Sequence, residues 1–452
     1  MEGVEVREAL YSKTIQNKDF RIDSQYYTKA PVLNPKLKYI KIGKIIKESQ
    51  YGLSIEMNEE KRGYPIYRMN EIHNMLCDLN VGKCADITAD EYAKFALKNK
   101  DVLFNRTNSF EWVGRTGVYY QNDNIERTFA SYLVRFNPKE SVILPEYLCA
   151  FLNTKQGISD IKRRARQSIN QTNVNPEEVK EIDIPILDMA FQEQIRDKFE
   201  QANLYRNKSI SLYRESEDIL LKELGLKNWQ PNNNSINIKR INESFLASGR
   251  LDADYYQPKY DDYNDLIKSY NNGSDLFGNI CTLNEKNFIP LEKTEYRYIE
   301  LSNIGKSGEI TGCTTALGTE LPSRARRLVH TNDVVISSIE GSLQSVALVT
   351  EDYDKSICST GFYVVKSEII NPETLLVLFK SEPMQNLLKQ GCSGTILTAI
   401  GRNELHNIAM PKIRKAVQSE IAEYVQKSIA LRNEAKQLLE NAKMMVEKEI
   451  EK

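Results

Sequence analysis

Two kinds of hydrophobic pattern alternate along the chain, and the same alternation occurs twice. Short runs of β-branched and aromatic residues, bounded by Gly, Asn and Asp, predict strands at residues 118–120, 132–136, 334–336 and 362–365. Residues 188–226 and 414–452 instead repeat apolar positions every three or four residues, which predicts two long helices. The patterns together indicate a mixed fold of the α/β (α+β) class.

The chain also repeats itself residue by residue. The segment RIDSQYY at residues 21–27 recurs as RLDADYY at residues 250–256. Further matches follow in the same order and at nearly the same separation: 101–104 with 333–336, 144–148 with 371–375, 184–185 with 410–411, and Phe191-Gln192 with Val417-Gln418. Ordered self-similarity of this kind is the signature of a duplicated architecture. We therefore predict a first domain at residues 1–187, a helix at 188–226, a linker and second domain at 227–413, and a second helix at 414–452.

The two predicted helices carry the same alternation of large and small residues at heptad spacing. Small side chains allow two helices to approach closely, so we predict that the helices pack on each other as an antiparallel pair. Such a pair would relate the two domains by an approximate two-fold axis. The alternative is that each helix packs only on its own domain. The positions that we expect at the helix contact are Ile195, Ala202, Ser209, Leu212, Ile421, Ser428, Ala435 and Leu438.

Composition limits the class of protein. A chain of 452 residues is long enough for more than one domain, and no apolar stretch reaches the ~18 residues of a membrane span. The N-terminus lacks the apolar segment of a secretion signal, and seven scattered cysteines form no C-x-x-C motif, so we expect a cytoplasmic protein. His73, Cys77 and Cys84 have no fourth ligand nearby in the sequence, so we predict no metal site.

No catalytic motif is complete in this sequence. Residues 305–307 (GKS) resemble the end of a phosphate-binding loop, but Glu300 stands where that loop requires its first glycine. We find neither a dinucleotide-binding glycine pattern nor a nucleophile elbow, and three histidines leave little material for acid–base catalysis. We therefore interpret the chain as non-enzymatic.

Local basic clusters are more informative than the net charge of −1. Residues 155–171 hold five basic side chains against one acid, Asp160, and residues 321–328 hold three arginines without an acid. Such charge attracts phosphates, and neighbouring Asn, Gln and Ser side chains are able to bind base edges. The alternative is that these clusters are solvated faces without a ligand. The candidate DNA contacts are Arg106, Asn108, Arg163, Arg164, Arg166, Asn170, Gln171, Asn173, Arg324, Arg326, Arg327, Ser338 and Gln344.

Over nearly its whole length the chain resembles the specificity (S) subunit of type I restriction–modification systems. The resemblance rests on residues 250–259 (RLDADYYQPK) with their first copy at 21–27, on residues 101–119 (DVLFNRTNSFEWVGRTGVY), and on residues 167–195. The second copy of the last segment, residues 394–421, has Gly401-Arg402 where the first has Asn175-Pro176. The resemblance adds Arg115 and Arg402 to the candidate DNA contacts.

The resemblance implies a fold of two target-recognition domains and two long helices. Each domain would bind one half of a bipartite double-stranded DNA site through the major groove, and the helix pair would set the gap. The family also implies two methylation subunits that use S-adenosylmethionine and two restriction subunits that use ATP and Mg, with no cofactor in this chain. The alternatives are a recognition subunit of a related methylation or defence system other than type I, and a pseudo-dimeric scaffold that binds only proteins.

Overall fold

The computed structural model describes residues 8–16, 21–169, 171–234, 236–394 and 398–452. The chain divides into two units: Met1–Arg206 with Arg432–Lys452 form the first, and Asn207–Leu431 form the second. Each unit has its own sheets and its own apolar core. The mixed α/β class that the sequence predicts is confirmed.

Short helices and strands alternate in the first unit. Its helices are α1 (Tyr11–Gln16), α2 (Ser24–Thr28), α3 (Ile42–Ile45), α4 (Ala89–Phe95), α5 (Pro145–Leu152), α6 (Lys155–Arg164) and α7 (Pro176–Lys180). Its strands are β1 (Tyr39–Lys41), β2 (Ile46–Tyr51), β3 (Tyr64–Tyr67), β4 (Ile72–His73), β5 (Leu76–Cys77), β6 (Cys84–Ala85), β7 (Val102–Asn105), β8 (Thr107–Asn108), β9 (Thr116–Val118), β10 (Thr128–Phe129), β11 (Leu133–Pro138), β12 (Arg166–Gln167), β13 (Thr172–Asn173) and β14 (Asp183–Pro185).

The largest sheet of the first unit has six strands in the order β2-β11-β7-β9-β5-β4. Its middle is antiparallel, with Phe104 of β7 opposite Val134 of β11 and Val102 opposite Val118 of β9. All four residues of β7 are buried because the sheet is covered on both faces: Val102 and Phe104 share a core with α5, and Leu103 lies in a second apolar cluster with Tyr67 and Tyr119. The predicted strand at 118–120 is wrong in its last two residues, since Val118 is the last residue of β9 to pair with β7.

A long helix, α8 (Met189–Glu223), leads from the first unit into the second. It ends three residues before the predicted limit of 226. Gly225 adopts a left-handed conformation with φ of 72°, and Leu226 donates its backbone N–H to the carbonyl of Leu221 at 2.8 Å. This geometry is that of a Schellman motif, which satisfies the last carbonyls and stops the helix.

The second unit repeats the alternation of short elements. Its helices are α9 (Phe245–Ser248), α10 (Pro258–Lys268), α11 (Phe277–Ile280), α12 (Pro372–Lys380), α13 (Glu382–Gln390) and α14 (Arg402–His406), and helix α15 (Lys415–Glu451) follows. Its strands are β15 (Ser274–Leu276), β16 (Cys281–Leu283), β17 (Glu295–Ile299), β18 (Thr314–Leu317), β19 (Ala325–Leu328), β20 (Val334–Ser337), β21 (Val346–Leu348), β22 (Ile357–Ser359), β23 (Phe362–Ser367), β24 (Cys392–Ser393), β25 (Ala399–Ile400) and β26 (Ala409–Pro411).

Two sheets of four strands form most of this unit. One has the order β16-β23-β20-β21 and the other the order β18-β17-β22-β19. In the first of them β20 is antiparallel to β23, with Ile336 opposite Tyr363, and every residue of β20 is buried. Strand β20 therefore has the antiparallel partner and the burial that β7 has in the first unit.

In each unit a two-stranded pair brings together the two ends of a block of short elements. In the first unit β1 is antiparallel to β14, with Ile40 opposite Ile184, and in the second β15 is antiparallel to β26, with Asp275 opposite Met410. The two ends of the block at residues 42–182 therefore lie side by side, and so do the two ends of the block at residues 277–408. Regions whose ends lie side by side are suited to replacement as blocks.

A buried glutamine joins the start of each long helix to its unit. Oε1 of Gln192 accepts the backbone N–H of Leu144 at 2.9 Å, and Nε2 donates to the carbonyl of Leu187 at 3.0 Å. Gln418 repeats these bonds, accepting from Asn371 at 2.9 Å and donating to Ile413 at 2.7 Å. Buried amides that make every available bond hold one geometry. This role explains why Gln occurs in both copies of the repeat.

The small positions of the two long helices are buried as predicted. Ser209 and Ser428 exchange hydrogen bonds in the second unit, because each hydroxyl donates to the other residue's carbonyl at 2.8 Å. Glu223, at the end of α8, pairs with Arg414, just before α15, at 2.5 Å. The two helix segments are therefore antiparallel within this unit. In the first unit, Ile195 and Ala202 share a core with Ala435 and Ala442.

The large seam positions lie one residue later than predicted. Phe199, Tyr213 and Leu220 are buried on α8, and Val425, Leu439 and Val446 are buried on α15. Leu212 is also buried, whereas Leu438 is only partly buried against the core. The heptad allows both assignments, since positions three and four residues apart lie on the same helix face, and in the folded chain the later positions are the more completely buried.

Among the described residues, no helix is both long and apolar enough to cross a membrane.

Because the two long helices are in close contact at Ser209, a larger side chain at this position should destabilise the protein. Ser209→Leu should lower the free energy of unfolding by about 1–3 kcal/mol, because the fully buried hydroxyl at 209 faces another backbone. Urea titration of the purified protein measures this loss. Ser211→Leu, at an exposed position of the same helix, is the matched control and should change stability by less than ~0.5 kcal/mol. Equal losses of unfolding free energy for the two variants would show that the helices are not closely packed at Ser209.

Candidate nucleic-acid interface

A three-stranded ribbon in the first unit gathers polar residues that are far apart in the sequence. Its strands have the order β12-β13-β8. Arg166 lies opposite Asn173, and Asn108 lies opposite Thr172. The hydroxyl of Thr107 donates a 2.6 Å hydrogen bond to Oδ1 of Asn173. Three of the predicted DNA contacts, Arg166, Asn173 and Asn108, therefore lie on one small sheet.

Backbone hydrogen bonds attach this ribbon to the core. Only Arg106 separates β8 from the buried strand β7, and its backbone N–H donates to the carbonyl of Tyr132 at 3.0 Å. Val174, which is fully buried, donates its N–H to the carbonyl of Arg106 at 2.9 Å. The guanidinium of Arg106 lies 5.2 Å from the ring centre of Tyr51. The predicted contact Arg106 is thus half-buried and held in one orientation at the base of the ribbon.

The tip of the ribbon is the turn between β12 and β13. Ser168 donates its backbone N–H to the carbonyl of Gln171 at 2.8 Å, and its hydroxyl donates to the same carbonyl at 3.0 Å. The side chain of Gln171 is exposed. Asn170 lies outside the described residues, so its contact with DNA stays a prediction.

Arg164 is part of the protein interior. Its side chain pairs with Asp160 at 3.0 Å and with Glu178 at 2.9 Å, and only 5% of the residue is exposed. Burial lowers the pKa of Arg164, but the two carboxylates outweigh it and raise the pKa. We therefore remove Arg164 from the candidate DNA contacts. The charges counted at residues 155–171 did not include Glu178, which lies next to this helix in the folded chain.

Arg163 is largely buried as well. Its Nη1 donates to the carbonyl of Tyr26 at 2.9 Å, its guanidinium lies 4.6 Å from the centre of that ring, and it also pairs with Asp160. Since only 10% of the side chain is exposed, little of it is available to a phosphate. Of the basic run at 162–166, Arg166 is the exposed arginine.

The repeated segment that begins at Arg21 has a structural role. Arg21 pairs with the Asp two residues later at 2.8 Å and donates from Nη1 to the carbonyl of Arg164 at 2.7 Å. In the second unit, Arg250 pairs with its own Asp at 2.6 Å and donates from Nη2 to the carbonyl of Cys392 at 3.1 Å. Both carbonyls lie at the start of a ribbon, just before β12 or within β24. The repeated arginine therefore fixes the position at which each ribbon begins.

Arg115 lies on the loop that connects β8 of the first ribbon to β9. Its guanidinium stacks on Trp112 at 3.5 Å from the ring centre, and burial lowers the pKa of Arg115. A stacked guanidinium keeps its planar donors in a fixed direction. Trp112, which the sequence reasoning passed over, is 43% exposed. The spacing of three residues between Trp112 and Arg115 was the signal available in the sequence.

The second unit has a ribbon at the equivalent place. Ser393 of β24 lies opposite Ala399 of β25, and Ala399 forms a bridge with Ile339. Ile339 is separated from the buried strand β20 by Ser338, whose carbonyl accepts the N–H of Ile400 at 2.8 Å. Ser338 therefore makes the backbone contact that Arg106 makes in the first unit. Residues 395–397 lie outside the described part of the chain.

A cavity of about 250 Å³ lies beside the second ribbon and brings together three predicted contacts, Arg327, Ser338 and Arg402. Arg402 pairs with Glu285 across 2.8 Å, and Nη1 of Arg327 donates to Oδ1 of Asn287 at 2.8 Å. The remaining lining residues are Leu283, Asn284, Glu285, Thr360, Phe362, Tyr363 and Val364. The sequence reasoning missed Asn284 and Glu285 because it searched for positive charge.

The other candidates of the second unit lie apart from this cavity. Arg324 is exposed and pairs with Glu300 at 3.2 Å, and Nε of Arg326 donates to the carbonyl of Ser323 at 2.9 Å. The side chain of Gln344 is exposed, and its carbonyl accepts Nζ of Lys380 at 2.8 Å. The structure thus separates the run 324–327, which the sequence treats as one cluster.

Within the part of the chain that the structure describes, no group of three or more His, Cys, Asp and Glu side chains is placed to hold a metal ion. Cys77 and Cys84, two of the three residues considered in the sequence, are both buried.

One family model matches the first half of the chain. Residues 37–210 match the family described as Type I restriction modification DNA specificity domain. A curated protein named as a type I restriction enzyme MjaX specificity subunit, from Methanocaldococcus jannaschii, is 27% identical over 187 residues. The match covers 40% of this chain and 44% of that protein, so it spans less than half the length of this relative. The resemblance to type I specificity subunits is confirmed.

Two solved structures are similar over a greater length. The S subunit of a Type-I restriction-modification system from M. genitalium is 13% identical, with 93% of this chain and 96% of that chain covered and a TM-score of 0.40. The HsdS subunit from Thermoanaerobacter tengcongensis is 12% identical, with 94% and 99% covered and a TM-score of 0.29.

Removal of Arg164 should reveal its structural role. Arg164→Ala should lower the free energy of unfolding by about 3 kcal/mol, because it leaves the charge of Glu178 buried without its partner. Arg166→Ala, two residues away and exposed, is the control and should cost less than ~1 kcal/mol. Chemical denaturation of the two variants provides the comparison. A small loss for Arg164→Ala would return this residue to the candidate DNA contacts.

Proposed function

We propose that this chain, a relative of the specificity subunits of type I restriction–modification systems, is the DNA sequence-recognition subunit of such a complex. One observation carries the proposal. In each unit a ribbon is attached directly to a buried core strand; the first ribbon carries Asn108, Arg166 and Asn173, and the second carries the exposed Ser393, next to the predicted contact Ser338. Asn and Arg are side chains that bind base edges in the major groove, and the two-stranded hairpin of β12 and β13 at the end of the first ribbon is an element of a size that fits that groove.

We propose further that each unit contains one target-recognition domain and that each domain binds one half of a bipartite site. The first domain would comprise residues 42–182, between β1 and β14, and the second residues 277–408, between β15 and β26. The two ribbons differ in composition at equivalent positions, since Ser338 stands where the first has Arg106. Different side chains on the same backbone support different half-sites.

In this proposal the chain is not catalytic. Two methylation subunits would supply S-adenosylmethionine-dependent methylation of adenine N6, and two restriction subunits would supply ATP- and Mg-dependent cleavage. The cores of both units contain segments of both long helices. We propose that the helices form an antiparallel spacer with approximate two-fold symmetry, which sets the unread gap between the half-sites.

Exchange of one domain tests the proposal. Residues 42–182 are replaced by the equivalent block of a relative with a different target, and DNA methylation is mapped in cells that contain the methylation subunits. Only one half of the methylated motif should change, because the block begins and ends beside the β1–β14 pair. Exchange of residues 277–408 is the reciprocal control and should change only the other half. If either exchange altered both halves, separate recognition would be wrong, and an unaltered motif in both strains would exclude DNA recognition by these blocks.

A helix insertion tests the spacer. Four residues inserted after Ser209 lengthen α8 by roughly 6 Å at ~1.5 Å per residue, or one to two base-pair steps of ~3.4 Å. Both half-sites should keep their sequences while the gap grows by about one or two base pairs, as read from the methylated motif. Four residues inserted after Asn232, in the segment between α8 and α9, are the matched control and should leave the gap unchanged. The original gap at full efficiency in the Ser209 insertion would contradict a spacer role.

A further inference from the structure

The tip of the first ribbon carries an apolar side chain that the fold does not use. Ile169 lies in the turn between β12 and β13, and its relative exposure is 101%. Single exposed apolar residues are common on protein surfaces and by themselves indicate nothing. Ile169 differs in its position, because the ribbon on which it stands also carries Arg166, Gln171 and Asn173.

Turn formation does not account for an isoleucine at this place. The hairpin is closed by Ser168 and Gln171 through backbone and hydroxyl hydrogen bonds, and these bonds need no side chain at 169. Turns favour Gly, Asn, Asp, Ser and Pro, whereas a β-branched residue has no advantage there. Neither core packing nor local geometry thus explains the residue.

The surroundings of Ile169 match the chemistry of the DNA major groove. Arg166 supplies positive charge, and Gln171 and Asn173 supply amides able to bind the edge of adenine. The partner of adenine is thymine, whose C5-methyl group is the one apolar feature that base edges present in that groove. An apolar side chain at the tip of a polar ribbon has its complement in this methyl group.

We infer that Ile169 contacts the C5-methyl group of a thymine in the half-site bound by the first domain. The inference rests on the proposed function and assigns one specificity-determining contact within it. Ile169 is uncharged, so the contact adds preference for a thymine without adding attraction to phosphate.

Replacement of thymine by deoxyuridine removes only that methyl group, so a double-mutant cycle tests the contact. The complex of this chain with its methylation subunits is titrated with its duplex target and with targets that carry deoxyuridine at each thymine of the first half-site in turn. For the unaltered protein, one such replacement should weaken binding about fourfold, which is ~0.8 kcal/mol, the value of one buried methylene-sized group.

Ile169→Ala should weaken binding to the thymine target about fourfold and should not distinguish thymine from deoxyuridine at that position. The dependence of affinity on salt should stay unchanged, because no phosphate contact is lost. Ile125→Ala, at an exposed isoleucine of the same unit outside the ribbon, is the matched control and should bind both targets like the unaltered protein. Equal unfolding free energies for the two variants verify that Ile169→Ala is folded.

Absence of any effect of Ile169→Ala on binding would overturn this inference alone. So would an equal loss on thymine and deoxyuridine targets, as expected if the side chain wedges between base pairs. A first half-site without any A·T pair would overturn it as well. If the unaltered complex showed no sequence-specific binding at all, the proposed function would fail with it, so the two failures are distinguishable.

Discussion

The last residues of the chain complete the apolar core of its first unit. Ala435, Leu439 and Val446 of α15 are buried in the same cluster as Ile195 and Phe199 of α8. The second unit is built in the same way, since its core combines the other segments of the two helices. Each unit would expose a long apolar face if either helix were removed, and that exposure opposes folding. Both units therefore depend on the same pair of helices.

Near the long helices, the two units keep the same internal hydrogen bonds. They differ in the side chains that their ribbons carry. Gln192 and Gln418 bond to equivalent backbone groups, and Arg21 and Arg250 both donate to the carbonyl that precedes or begins a ribbon. These side chains make their hydrogen bonds within the fold, which gives them a structural role. On the first ribbon, the side chains of Ile169 and Gln171 are exposed instead, so we expect substitutions there to disturb the scaffold little.

Charge in this protein has two uses that sequence composition does not separate. Arg164 balances Asp160 and Glu178 in the interior, whereas Arg166, two residues later, is exposed on the ribbon. In the second unit, Arg402 pairs with Glu285 beside a cavity that also contains Arg327. Only the exposed members of these clusters are suited to binding an anionic polymer, because a buried arginine would first have to abandon its carboxylates.

The sequence by itself indicated an internal repeat, the mixed α/β class and the small positions of the long helices, because residue identity and spacing carry that information directly. It predicted strands at 334–336 and 362–365, where local β-branched runs agree with the final pairing. The tertiary structure alone decided that Arg164 is buried, that Asn108 and Asn173 share a sheet, and that Leu439 is more deeply buried than the predicted Leu438. These outcomes depend on contacts between distant segments, and such contacts leave no periodic signal along the chain.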